Sequence, residues 1–278
     1  MLPQTIFDVV ISCVDDRETL YNCSLTCRSF VPATRQDLFR YISVRSRAKF
    51  DYIRTCGDTS SIAPHLDILY LSEDIERPWI HSFPFIFPRH LRCVHHLTLQ
   101  NVQFHRYPLH PWAPHAFGGS FSSLTTLNIA HGRFYDFVEF QRLVGAMTKL
   151  SRLTVEKIGF LAPPLRSNSP YIPRCPPLNT LWFDSECEGG VTAVVNWLLL
   201  PPLQPVFARH GTSAPEAQRS ASRSIGDLQL WKQDTCDLPA VQRILNTLGS
   251  ALEYFELSLR GWTRGGALRV LLLLSPNH

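Results

Sequence analysis

The stretch LTTLNIA, residues 124–130, has apolar side chains at its first, fourth and sixth positions. Alternating apolar residues in so short a segment predict a β-strand with one buried face. The same pattern recurs along the chain, centred on Ile42, Leu69, Leu97, Leu127, Leu153, Leu181, Leu228 and Phe255. Successive centres are 26 to 30 residues apart, except for one step of 47 residues after Leu181. The sequence therefore predicts a series of similar strands at nearly constant spacing.

A strand followed by a helical or irregular return, repeated at this interval, is typical of leucine-rich repeats. We therefore expect an α/β fold in which residues 46–278 form an irregular leucine-rich-repeat-like solenoid with a parallel sheet. The predicted helical returns are residues 48–56, 137–147, 191–200 and 238–248. The stretch RPWIHSFPFIFPRH predicts an irregular return. The long step contains residues 208–224, whose Ser, Ala, Pro and Arg content predicts a flexible loop inserted in one repeat.

Side chains that alternate with the buried ones point to the other face of the sheet, where they can meet a partner. We predict that this face binds an unknown protein target through Tyr70, Arg152, Glu156, Trp182, Asp184 and Trp231. The two tryptophans are the strongest candidates, because exposed tryptophan is a common anchor of protein interfaces. The alternative is that Trp182 and Trp231 are buried against neighbouring repeats or under the inserted loop.

The first 45 residues have a different pattern, which predicts three short helices. Pro3 suits the first turn of a helix. Apolar residues then follow at helical spacing at Ile6, Val9, Val10, Cys13 and Val14. Asp15 and Glu18 resemble a capping box for a second helix, and Pro32 can begin a third. A bundle of this size has too small a core to be stable alone, so it needs a partner surface.

Residues 2–44, LPQTIFDVVISCVDDRETLYNCSLTCRSFVPATRQDLFRYISV, resemble the F-box of fungal F-box proteins. In that family the bundle docks on the small Skp-type adaptor of cullin-RING ubiquitin ligases. The resemblance implies an F-box at residues 1–45. It also implies adaptor contacts through Leu2, Pro3, Ile6, Leu20, Ser24, Leu25 and Phe39. We expect Leu2, Pro3, Leu20 and Leu25 to lie together and to be at least partly exposed, since a docking surface stays uncovered until its partner binds.

The composition argues against several classes of function. The formal net charge is only +4, from 27 basic and 23 acidic residues, which does not suggest nucleic-acid binding. The eight cysteines have no Cys-x-x-Cys spacing and are expected to be reduced and buried. The opening MLPQTIFDVV lacks the basic region of a secretory signal, and the apolar run at 268–274 is too short to span a membrane. We therefore expect an intracellular protein, cytoplasmic and/or nuclear, with no membrane or nucleic-acid partner.

The motifs of the chain do not suggest catalysis. Three histidines recur in HRYPLHPWAPH, at His105, His110 and His115, but the prolines between them exclude the helical spacing of a metal site. The sequence has no glycine-rich phosphate loop, nucleophile elbow or zinc-protease motif. We therefore expect no enzymatic activity, no cofactor and no metal.

These observations favour a substrate-recognition subunit of an SCF-type cullin-RING E3 ubiquitin ligase. Its F-box would dock on the Skp adaptor and cullin complex, and its repeats would hold the target. The alternative is a leucine-rich-repeat interaction scaffold that acts outside a ubiquitin ligase. A third interpretation is a nucleic-acid binder.

Overall fold

A computed structural model provides the coordinates of the chain. It describes residues 3–55, 62–86, 91–162, 175–187, 189–199, 225–233, 238–248, 251–263 and 266–273. Leu2 and the predicted loop at 208–224 lie outside the described residues.

The N-terminal residues form three short helices, as the sequence predicts. They are α1 (Gln4–Ser12), α2 (Arg17–Thr26) and α3 (Val31–Arg40), and a 3-10 turn at Arg28–Phe30 precedes the third. The N-cap of α2 is Asp16, whose carboxylate accepts the backbone N–H of Thr19 at 2.7 Å. Pro32 lies in the first turn of α3, where the missing N–H has no cost. Both α1 and α2 pack against α3.

The rest of the chain is an α/β structure with a mainly parallel, open sheet. Its strands are β1 (Tyr41–Val44), β2 (Ile68–Ser72), β3 (His96–Gln100), β4 (Thr126–Ala130), β5 (Arg133–Phe134), β6 (Arg152–Phe160), β7 (Thr180–Ser185), β8 (Asp227–Gln233), β9 (Tyr254–Thr263) and β10 (Gly266–Leu273). The strand order is β1-β2-β3-β4-β6-β7-β8-β9-β10, and the short β5 pairs with β6. Only the last pair, β9 and β10, is antiparallel in this order. The sheet therefore follows the order of the chain from one edge to the other.

The register of the sheet confirms the repeat read from the sequence. Each strand centre pairs with the next, in the row Ile42, Leu69, Leu97, Leu127, Leu153, Leu181, Leu228 and Phe255. The step of 47 residues does not disturb the row, because β7 and β8 are direct neighbours. The additional residues of that step therefore leave the pairing of these two strands intact.

Helices connect many of the strands. They are α4 (Arg47–Thr55), α5 (Phe83–Ile86), α6 (Ala113–Ser120), α7 (Phe137–Gly145), α8 (Gly190–Leu198) and α9 (Leu238–Leu248). The four predicted helical returns are confirmed to within two residues at each end. The sequence did not predict α6, which follows the proline-rich stretch and has Pro114 in its first turn, where proline is tolerated.

The core lies between the helices and one face of the sheet. The buried strand rows and helix residues such as Phe50, Phe140 and Val194 belong to one apolar cluster. Aromatic rings fill much of it: Phe140 packs edge-on against Phe134 with ring centroids 5.4 Å apart. Each fully buried Leu or Phe contributes about 1.5–3 kcal/mol to folding. Within the described residues, no helix combines the length and apolar character needed to cross a membrane.

Candidate protein-interaction surfaces

Several apolar side chains of α1 are exposed to solvent. Phe7 and Ile11, four residues apart on one face, pack inside the bundle: Ile11 is fully buried, and Phe7 contacts Phe30 edge-on at 5.4 Å. Ile6, Val9 and Val10 lie on the other side and are exposed, Val9 by 63%. Exposure of three neighbouring aliphatic side chains on one helix indicates a surface that another molecule can cover.

The second helix adds two large exposed residues. Tyr21 and Leu25, four residues apart, are 56% and 68% exposed. We use the name bundle surface for these five exposed side chains, which are Ile6, Val9 and Val10 on α1 and Tyr21 and Leu25 on α2; both helices pack on α3. The sequence had named only Ile6 and Leu25 among them as partner contacts. The i, i+3, i+4 spacing of α1 was the available signal for Val9 and Val10, but spacing alone does not tell which side of a helix is buried.

The other predicted adaptor contacts have varied positions. Pro3 is exposed, whereas Ser24 and Phe39 are half-buried, and the Ser24 hydroxyl donates to the carbonyl of Tyr21 at 2.6 Å. Leu20 is buried, with 5% of its surface exposed. The expectation that Leu20 is exposed is therefore wrong, because its side chain fills the interior of the small bundle instead.

The face of the sheet opposite the core carries polar and aromatic side chains. Its central row consists of Ser43, Tyr70, Thr98, Asn128, Thr154, Trp182, Gln229 and Glu256, each in register with the next. Tyr70 is half-buried and lies under the guanidinium of Arg45, whose Cζ is 5.2 Å from the ring centroid. Arg152 is exposed and Glu156 is half-buried. The strand residues Tyr70, Arg152 and Glu156 therefore lie on this face of the sheet, and Arg45 follows directly after β1.

The two predicted anchor tryptophans contact each other. The rings of Trp182 and Trp231 have centroids 5.9 Å apart and planes inclined by 59°. Both side chains are half-buried, so they pack against neighbouring strands and still present part of their surface. Asp184, which pairs in register with Trp231, is only 4% exposed. Strict alternation would have left Asp184 exposed, but burial becomes continuous from Phe183 to Ser185 at the end of β7.

Two carboxylates, of the buried Glu73 and the half-buried Glu139, connect successive strand-loop units. Glu73 follows β2; its Oε1 accepts the N–H groups of Trp79 and Ile80, and its Oε2 accepts that of Gln103 at 2.8 Å. Burial raises the pKa of Glu73, although its three N–H donors act in the opposite direction.

Glu139 has a similar role on α7. Its Oε1 accepts the N–H of Leu109 at 2.7 Å and its Oε2 that of Tyr135 at 3.1 Å. Burial is also the main cause that raises the pKa of Glu139. Such carboxylates fix the loops that border the sheet.

The histidines do not assemble a metal centre in the part of the chain that the structure describes, where no group of three metal-binding side chains is found. His95 instead pairs with Asp67, with 2.9 Å between Nδ1 and Oδ1. The cysteines are less uniformly buried than predicted, since Cys13 and Cys93 are exposed and Cys175 is buried.

Comparison with known proteins does not assign the chain to a family. None of the protein-family models matches it, and searches of curated proteins and of solved structures gave no significant match.

Proposed function

We propose that this chain is the substrate-recognition subunit of an SCF-type cullin-RING E3 ubiquitin ligase. In this proposal residues 1–45 act as an F-box that docks on a Skp-type adaptor, and residues 46–278 act as a leucine-rich-repeat-like domain that holds a protein target. The chain itself catalyses no reaction and needs no cofactor, and it works inside the cell, in the cytoplasm and/or the nucleus. The observation that carries the proposal is the exposed bundle surface.

The energetics of the bundle surface suit a docking role. When a partner covers exposed aliphatic side chains on a small helical bundle, their removal from water stabilises the complex. Complete burial of Val9 or Leu25 would contribute about 1.5–3 kcal/mol each. Neither side chain stabilises the bundle core in the free chain, because both remain mostly exposed. Val9 and Leu25 would therefore contribute to stability only in a complex with a partner.

The sheet supports the second half of the proposal. Parallel strands stacked in chain order present a continuous face, and repeats of this kind usually bind proteins on such a face. The contacting pair of Trp182 and Trp231 offers a compact aromatic anchor with an adjacent row of hydrogen-bonding side chains. This combination is typical of the centre of a protein interface.

Affinity purification followed by mass spectrometry under proteasome inhibition tests the proposal. The wild-type chain should recover a Skp-type adaptor and a cullin. The double variant Val9→Ser with Leu25→Ser should reduce adaptor recovery at least ten-fold, since about 1.4 kcal/mol corresponds to a factor of ten. Tyr52→Ser is the matched control, because Tyr52 is equally exposed but lies on α4. Trp182→Ala should keep the adaptor and lose other partners.

The alternative function, an interaction scaffold outside a ubiquitin ligase, uses the same sheet face. It predicts that the wild-type chain recovers protein partners but neither adaptor nor cullin. Adaptor recovery that is equal in the wild type and in the double variant would remove the bundle surface from the interface.

A further inference from the structure

A polar groove of about 320 Å³ opens where β3 and β4 end and where the neighbouring β6 has a register shift between Val155 and Ile158. Its polar lining includes Asn101, Gln103, Arg106, His131, Arg133 and Lys157. Asn101, His131 and Lys157 occupy equivalent positions, because each directly follows one member of the paired row Gln100, Ala130 and Glu156. The groove therefore belongs to the repeated architecture and crosses several units of it.

The backbone at these three positions has an unusual conformation. The φ angles of Asn101, His131 and Lys157 are 58°, 54° and 50°, all in the left-handed region that favours glycine. Each chain segment turns there and continues into a second set of strand contacts, in which Gln103 pairs with Arg133. A glycine would make this turn without strain, yet each position carries a polar side chain that lines the groove. Strained residues of this kind cluster at functional sites.

Positive charge accumulates around the groove. The lining contains the cations Arg106, Arg133 and Lys157 and only one carboxylate, that of Glu186. One Nη of Arg106 donates to the carbonyl of Ile75 at 3.2 Å, which orients the guanidinium at the groove. The lining therefore has an excess of two positive charges when His131 is neutral.

Two of these cations, Arg106 and Arg133, have no carboxylate partner in the described part of the chain, and the third has a distant one. The Lys157 Nζ is 3.9 Å from the nearest Glu156 oxygen. The neighbouring His105 responds to this charge: burial lowers its pKa, and Arg106 and Arg133 lower it further. Positive potential thus extends around the groove, which favours an anionic ligand.

We propose that this groove binds a phosphate group. Arginine guanidinium groups bind two phosphate oxygens at once, and lysine adds a compact point charge. The excess of two positive charges matches the charge of a phosphate monoester. The volume is at the lower end of the range for small-ligand sites, which suits one such group with a short attachment. The inference stands independently of the proposed ligase function, and the phosphate belongs to a small molecule or to a phosphorylated side chain.

Isothermal titration calorimetry on the full chain at low ionic strength tests the site. The probes are inorganic phosphate, glycerol 3-phosphate and the peptide acetyl-Gly-Gly-phosphoserine-Gly-Gly-amide, with the unphosphorylated peptide as the blank. Arg133→Gln and Lys157→Gln should each weaken phosphate binding about ten-fold, which corresponds to about 1.4 kcal/mol. Arg92→Gln is the control, because Arg92 is exposed and does not line the groove.

The outcomes separate the sources of the phosphate. Tighter binding of the phosphopeptide than of glycerol 3-phosphate assigns the site to a modified protein, and the opposite order assigns it to a small molecule. Glu186→Gln should tighten binding about three-fold through loss of a like charge. If circular dichroism shows that the arginine or lysine variant is unfolded, the effect of Glu186→Gln on phosphate affinity becomes the test of the site.

Three results would overturn the assignment. They are no saturable phosphate binding, affinities that none of these substitutions changes, and an affinity for single-stranded RNA that rises with its length. The last would indicate an extended nucleic-acid track in place of a single phosphate site.

Discussion

Removal of the Glu73 carboxylate should strongly destabilise the fold. Glu73 is 4% exposed, and its two oxygens accept three backbone N–H groups from the segments after β2 and β3. In Glu73→Ala those three buried donors lose their acceptor. A buried donor without a partner costs about 1–3 kcal/mol. Because water can enter the space left by the side chain and bind some of the donors, we expect a loss of about 3–6 kcal/mol.

Glu73→Gln should have a smaller effect. The amide keeps one oxygen, which can still accept from Trp79 and Ile80, but its NH₂ group then faces the N–H of Gln103. We expect a loss of about 1–3 kcal/mol. The comparison of the two variants separates the loss of one acceptor from the loss of all.

Urea unfolding at constant pH measures both variants, and the dependence on urea concentration shows whether they still unfold in one step. Glu76→Ala is the control, since Glu76 lies in the same loop but is exposed. It should change the free energy of unfolding by less than about 0.5 kcal/mol. A loss below about 1 kcal/mol for Glu73→Ala would refute the view that this carboxylate holds the two segments together.

The pH dependence of stability gives an independent check on Glu73 and Glu139. Burial raises both pKa values above the ordinary glutamate value of 4.5. Between 4.5 and the raised values the folded chain binds more protons than the unfolded chain, so increasing pH lowers the free energy of unfolding. The stabilisation is complete below that window and is lost as the pH rises through it. We measure the free energy of unfolding with urea at pH 4.5 and above. As the pH rises, this free energy should decrease less steeply for Glu73→Gln than for the wild type.

Three further variants test other parts of the structure. Leu20→Ala should cost about 2–5 kcal/mol because Leu20 is buried. Val9→Ser should change the free energy of unfolding by less than about 0.5 kcal/mol. A loss for Val9→Ser as large as that for Leu20→Ala in urea unfolding would contradict the outward orientation of Val9 on α1. Replacement of residues 209–222, which lie outside the described residues, by a short Gly-Ser linker should change the melting temperature little, because β7 pairs directly with β8. Loss of cooperative unfolding in the deletion variant would show that the register after Phe183 is wrong.

The strands were predictable because their signal is local and repeated. Each needs only apolar residues two positions apart, and the constant interval predicts which residues pair. Leu97 pairs with Leu127 and Leu127 with Leu153, as the spacing requires. The predicted bounds of α7 and α9 lie within two residues of the observed ones. Because the pattern is repeated, the position of each strand can be checked against the spacing of the others, which resolves an ambiguous position in any one strand.

The surfaces were less predictable because they depend on contacts between distant residues. In α1 both the side with Ile11 and the side with Val9 are apolar, and only packing against the other helices determines which is buried. The buried position of Asp184 likewise depends on the surroundings of β7. The groove combines residues from separate units, among them Arg106 and Lys157, and in the sequence such scattered cations add up only to a small net charge.

The junction between the bundle and the sheet bears on both proposed interaction functions. α3 ends at Arg40 and β1 begins at Tyr41, so no linker separates them. The N–H of Asp67 donates to the carbonyl of Arg40 at 3.0 Å, and the Asp67 carboxylate contacts both the Arg40 guanidinium at 3.4 Å and the His95 ring at 2.9 Å. These contacts join the end of α3 to the segments that precede β2 and β3. Because this junction is compatible with both a ligase subunit and a scaffold, recovery of the adaptor is the measurement that distinguishes them.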